Sequence, residues 1–177
     1  LWKYRLETPA RALSASEKGN CACASDDRGK VLCLSTEGKL QFSARLEAPA
    51  TFLRLSQDGT TLIAADLSGA SLVASDGRVL WRKNFPDGMT DIATTVSCTK
   101  TIVLSKTARS LSLDGSERWS AQVPDGTVAV RMSEDGESIY ALGPEVVVRL
   151  NPAGKHLWTG DLKSCPETSS VMARTKM

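Results

Sequence analysis

Cys21, Cys23 and Cys33 form the densest cluster of chemically capable side chains in this sequence. Cys21 and Cys23 lie two apart, so on an extended strand both face the same side. Cys33 follows the turn Asp26-Asp27-Arg28-Gly29, which lets it lie nearly opposite Cys23 on a neighbouring strand. Three thiols in one hairpin suit a metal, a redox pair or apolar filling. The matching positions of the next repeat are Thr61, Ile63 and Val73, ordinary strand residues. That match favours small buried thiols filling a tight pair of strands, with the redox reading left open. Cys98 and Cys165 bring the total to five, an odd number at irregular spacing, which fits a reduced compartment better than a paired disulfide framework. The expectation is a cytoplasmic chain, or an extracytoplasmic one if a signal segment has been removed. Leu1-Trp2-Lys3-Tyr4 has neither an initiator Met nor a signal-peptide layout, which suggests a processed chain or a segment.

The other candidates for chemistry are sparse. His156 is the only histidine, which argues against a multi-histidine metal site within the chain. It occupies a repeat position held elsewhere by Leu40, Val79 and Glu117, and a position that accepts Leu, Val, Glu and His reads as structural or exposed rather than catalytic. The carboxylates Asp58, Asp76, Asp114 and Asp135 sit at turns, where turn chemistry accounts for them. No cofactor, metal ligand set or catalytic residue is expected. Net charge is +2 over 177 residues, too balanced for a nucleic-acid or anionic-membrane partner. No apolar run approaches the roughly 18–20 residues of a membrane span.

The elements that must position these residues repeat. Gly38, Gly77, Gly115 and Gly154 are 39, 38 and 39 residues apart. Four residues after each comes a large aromatic, Phe42, Trp81, Trp119 and Trp158, and Trp2 lies 40 residues before Phe42 in the same phase. Arg5-Leu6-Glu7-Thr8-Pro9-Ala10 recurs as Arg45-Leu46-Glu47-Ala48-Pro49-Ala50, and Pro86-Asp87-Gly88 as Pro124-Asp125-Gly126. Coincidence at one spacing on this scale identifies a tandem array.

Each unit resolves into four short strands. The first runs are Leu13–Ser16, Leu53–Ser56, Thr94–Ser97 and Val130–Ser133, with the period-two alternation of half-buried strands. Turns with Gly19, Gly59 and Gly136 follow, and the third unit has Cys98-Thr99-Lys100 in place of a glycine turn. Second strands carry Ile63–Ala65, Ile102–Leu104 and Ile139–Ala141, the third strand is clearest at Val146–Leu150, and the fourth carries the aromatic. The chain therefore reads as all-β, a β-propeller of about four four-stranded antiparallel blades of period 38–40 residues, near 7–46, 47–85, 86–123 and 124–162. Residues 1–6 and 163–177 are left as partial blade strands, and the array reads as a segment or half of a larger ring.

The apolar strand, polar turn and Gly-x-x-x-Trp ending of Ser75–Trp81, Leu113–Trp119 and Pro152–Trp158 resemble the quinoprotein-type (PQQ-like) repeat, and Ser56-Gln57-Asp58-Gly59 is similar to turns of WD-repeat propellers. The resemblance spans Trp2 to Trp158. It implies the propeller fold and leaves function open, since such repeats occur in enzymes, assembly factors and sensors. Dehydrogenases of the quinoprotein type use calcium, a catalytic Asp and often adjacent cysteines. No Cys-Cys pair exists here, so their cofactor is not carried over.

One aromatic per blade at one phase, Trp2, Phe42, Trp81, Trp119 and Trp158, is what packing of blade on blade requires. Loops from the fourth strand to the next blade share one face with loops from second to third strand. That face would present Glu7, Arg28, Glu47, Asp66, Asp87, Lys106 and Asp125 to a protein partner. The expected function is a non-enzymatic interaction scaffold, with self-association or further blades closing the ring. The alternative is a ligand-sensing or degenerate enzymatic propeller whose active constituents lie outside this chain.

Overall fold

Alternating apolar residues separated by left-handed turns build sixteen strands and no α-helix in the computed structural model, which describes residues 3–162. Blade 1 holds β1 (Ala10–Ala15), β2 (Cys21–Asp26), β3 (Lys30–Ser35) and β4 (Leu40–Arg45); blade 2 holds β5 (Phe52–Leu55), β6 (Thr61–Ala65), β7 (Gly69–Ala74) and β8 (Val79–Asn84). Blade 3 holds β9 (Asp91–Thr94), β10 (Lys100–Leu104), β11 (Thr107–Ser112) and β12 (Glu117–Gln122); blade 4 holds β13 (Ala129–Met132), β14 (Ile139–Leu142), β15 (Val146–Leu150) and β16 (His156–Asp161). Each blade is one antiparallel meander in chain order. The sheets form an open arc of propeller blades. Residues 3–6, expected as part of a partial blade strand, form no ladder with the other described residues. Residues 1, 2 and 163–177 lie outside the described residues.

The core is divided among the blade joints. Cys23, Val31, Cys33 and Phe42 of blade 1 pack with Leu53, Leu62, Ala64 and Val73 of blade 2. Ile63, Ala70 and Leu72 of blade 2 pack with Ile92, Val103 and Leu111 of blade 3. Ile102, Leu104 and Ala108 of blade 3 pack with Val130, Ile139, Ala141 and Val148 of blade 4. Period two makes this possible: alternate residues of each strand serve the preceding joint and the following one. Inner strands are also tied across joints, by Leu55 N to Ser14 Oγ (2.9 Å) and Val130 N to Asp91 Oδ2 (2.9 Å).

Every outer strand carries the same bulge, one residue before its aromatic. Leu34 faces Leu40 while Cys33 faces Phe42, leaving Gln41 extra. Leu80, Arg118 and Leu157 are extra in the same way before Trp81, Trp119 and Trp158. A bulge re-aims the next side chain and blunts an exposed edge against further pairing.

Two expectations need correction. In blade 3 the first strand ends at Thr94, and Thr95, not Ser97, takes the place of Ser16, Ser56 and Ser133. Cys98 N donates to Thr95 O (2.9 Å) as Gly19, Gly59 and Gly136 donate to those serines, so Cys98 (φ 57°) fills the left-handed glycine position. The second correction concerns the thiols. Cys23 and Cys33 are directly opposed in the β2–β3 register, Cα atoms 4.0 Å apart, and form a disulfide rather than remaining reduced. Cys21 and Cys98 are free and buried.

A candidate interaction face

The β2–β3 type turns and the links between blades occupy one face because backbone hydrogen bonds join them. Leu46 N donates to Gly29 O (2.8 Å), Phe85 N to Ser68 O (2.7 Å) and Met89 N to Leu67 O (2.7 Å). On this face Glu7 pairs with Lys30 (2.9 Å), and the turn holding Arg28 is closed by Asp26, whose Oδ1 accepts from Arg28 N and Lys30 N. Asp87 lies 3.6 Å from Lys106 and 3.8 Å from Arg109. Asp87 and Lys106 line one polar hollow of about 470 Å³ together with Asp125, Ser105 and Thr127.

Glu47 and Asp66 meet through a residue the sequence did not single out. Arg82, from β8, donates from Nη2 to Asp66 Oδ2 (2.9 Å), and its Nε lies 2.9 Å from Glu47 Oε2 as an ion pair. The Arg82 side chain is only 12% exposed. Burial pushes the Asp66 carboxyl up, but hydrogen bonds from Ser68 and Arg82 outweigh it and hold it below the ordinary range. Asp66 Oδ1 also accepts from Ser68 N and Gly69 N, so the turn is locked at both oxygens.

At the apex of that locked turn stands Leu67, 72% exposed. The corresponding apices carry Asp27 and Arg28, Lys106, or Pro144 and Glu145. Leu67 and Met89 border a notch of about 210 Å³ whose other apolar walls are Phe52, Ala65 and Ile92. Holding a leucine in water on a rigid turn forgoes burial worth about 1.5–3 kcal/mol, which a partner can recover. Only an exposed apolar residue among polar turn residues could have signalled Leu67 in the sequence.

Inside the arc, the inner strands of all four blades line a channel of about 590 Å³, with Arg54, Asp91 and Arg131 among the apolar residues. Arg131 Nη1 donates to Asp91 Oδ2 (2.7 Å). His156, exposed, hydrogen-bonds Thr159 Oγ1 through Nε2 (2.7 Å). Among the described residues no group of three or more His, Cys, Asp or Glu is placed to hold a metal ion, and no helix is long and apolar enough to cross a membrane.

The repeated aromatics lie away from this face, against neighbouring turns. Trp81 Nε1 donates to Leu113 O (2.7 Å) and Trp119 Nε1 to Pro152 O (2.8 Å), each in the next blade. A Cβ on Gly115 would fall 2.8 Å from the Trp81 ring, and one on Gly154 2.5 Å from the Trp119 ring, so glycine is required there for space as well as for positive φ. Phe42 is buried, Trp158 is exposed, and Trp2 lies outside the described residues.

A family model described as outer membrane protein assembly factor BamB matches residues 1–141. No curated protein matches the chain. Among solved structures, BamB from Moraxella catarrhalis superposes with a TM-score of 0.73 at 13% identity, over 90% of this chain and 55% of that one. Hydrazine synthase from Kuenenia stuttgartiensis gives 0.72 at 14% identity, over 89% and 51%. The Cps50 (Swd1) β-propeller domain of Myceliophteria thermophila gives 0.62 at 16% identity, over 80% and 53%. The chain thus spans about half the length of these structures.

Proposed function

Since the chain belongs to the family of the outer membrane protein assembly factor BamB, whose repeats are PQQ-like propeller blades, we propose that it is a non-enzymatic interaction module that receives a protein partner on its loop face. Similarity of fold to BamB and to a WD-repeat propeller supports protein partners in general terms. The observation that carries the finer reading is Leu67, held in water at the apex of a turn locked by Asp66 and Arg82, beside the Phe52–Ile92 notch. Rigid presentation lowers the ordering cost of binding, and an apolar group ringed by polar ones matches the apolar core and polar rim of a protein interface. The paired charges Glu47–Arg82 and Asp87–Lys106 form the rim.

In this reading the repeated aromatic docks one blade on the next, supported by the Trp81 and Trp119 bonds to the following turns. The Cys23–Cys33 disulfide supports work in an oxidising, extracytoplasmic compartment rather than in the cytoplasm that five irregular cysteines suggest. Thermal melting tests the enzymatic or ligand-sensing alternative. The interaction module keeps its midpoint in the presence of calcium, zinc or pyrroloquinoline quinone at millimolar concentration. A rise of several degrees with any of them overturns the non-enzymatic assignment.

A further inference from the structure

The three thiol-bearing residues of blade 1 share one face of one hairpin. Cys21 faces Ser35 across the β2–β3 ladder and Cys23 faces Cys33, so alternation puts Cys21 on the side that carries the disulfide. Two steps of extended strand separate the Cys21 and Cys23 Cα atoms by about 6.6 Å, within the span that a disulfide bridges. The bond is not what the hairpin needs in order to pack. The same pair of positions is Ile63 and Leu72 in blade 2, and Ile102 and Ser110 in blade 3, all buried without a covalent link.

Access differs among the three sulfurs. Cys23 and Cys33 are 0% exposed, sealed into the joint with Leu62 and Val73 of blade 2. Cys21 is 6% exposed and forms part of the wall of a hollow of about 400 Å³ between blades 1 and 2, with Asn20, Asp58 and Gly59. Gly59 keeps the space over the sulfur clear, since a Cβ there would fall 2.5 Å from Cys21 Sγ. Cys98, the second free thiol, lies in the other joint, between blades 2 and 3.

We propose that Cys21 is a thiol–disulfide exchange site, the entry thiol through which a small external thiol opens the buried Cys23–Cys33 bond in the folded chain. The Cys21 thiolate attacks Cys23 Sγ; the Cys23–Cys33 bond breaks, a Cys21–Cys23 bond forms, and Cys33 leaves as a thiolate that takes a proton from water. An external thiolate in the hollow then attacks Cys21 Sγ, forming a mixed disulfide there and releasing Cys23. A second external thiolate attacks the sulfur of the first and leaves with it as a disulfide, returning Cys21 to the free thiol. In sum, two external thiols become one disulfide and the protein disulfide becomes two thiols. The reverse sequence remakes the bond. Asp58 is the charged side chain on the wall of the hollow, so the reagent that fits is a small amine-bearing thiol rather than an anionic one.

Cysteamine is the probe, added to the oxidised full chain, with alkylation as the quench and peptide mass as the readout. In millimolar cysteamine the unsubstituted chain and Cys98→Ser should lose the disulfide at one rate, and Cys21→Ser about tenfold more slowly. A variant that unfolds would expose the bond and speed its loss, so slowing cannot come from a folding defect. The unsubstituted chain quenched part-way should carry cysteamine on Cys21, and this position decides alone if Cys21→Ser proves less stable. Equal rates in the unsubstituted chain and Cys21→Ser overturn the proposal, because the reagent then reaches the bond by opening of the joint. Cysteamine found on Cys23 or Cys33 but not on Cys21 overturns it for the same reason.

Discussion

Single residues set the turns on which the blades depend. Asp58 Oδ1 accepts from Ser56 Oγ (2.7 Å), Thr60 N and Thr60 Oγ1, and these bonds hold its pKa down at about 2. Asp114 is lowered by Ser112 and Ser116, and Asp135 by Ser133 and Glu137 N, in the same arrangement. A carboxyl whose pKa is depressed on folding contributes stability above its unfolded value and loses it as pH falls through the folded one. The denaturation midpoint should therefore drop between about pH 4 and about pH 2, and Asp58→Asn should flatten that drop when urea midpoints are measured across the range. The turn aspartates were legible because Asp-Gly has one common structural meaning. Cys98 was not: nothing in Ser97-Cys98-Thr99 announces a left-handed residue. That backbone costs about 1–2 kcal/mol for a residue with a Cβ, and burial of the thiol in the joint between blades 2 and 3 offsets it. Its Sγ lies 3.6 Å from Arg54 O, and burial pushes its pKa up to about 11, so the group is packing rather than nucleophile.

At the scale of elements, each outer strand carries a bulge and an aromatic, and the aromatics of β8 and β12 meet a glycine turn of the next blade. Trp81 and Trp119 lose both ring packing and an indole hydrogen bond when truncated, whereas the ring contact of Trp158 among the described residues is with Tyr140 of its own blade. Trp81→Ala and Trp119→Ala should each cost about 3–5 kcal/mol in chemical denaturation, and Trp158→Ala should cost far less. Equal losses at all three sites would deny the aromatic its part in joining blades. The period of 38–40 residues and the four-strand meander were readable from glycines and aromatics alone, because repetition multiplies a weak local signal. The bulges were hidden, since Gln41, Leu80, Arg118 and Leu157 share no residue type. The disulfide was half legible: the sequence placed Cys23 and Cys33 opposite each other, but comparison with Ile63 and Val73 pointed to filling rather than bonding.

The described residues form an arc with two distinct surfaces, the loop face and the channel. Sequence alone assembled Glu7, Glu47, Asp66, Asp87, Lys106 and Asp125 near one another by counting loops. It could not see that most of them are engaged with Lys30, Arg82 or Arg109, leaving Leu67 as the group with most to gain from a partner. The most direct measurement replaces Leu67, and separately the exposed Leu113 outside the loop face, with a photo-crosslinking residue in the producing cell. A loop-face interaction module predicts a discrete protein adduct from position 67 and none from position 113. Adducts of equal yield from both positions, or from neither, would contradict it.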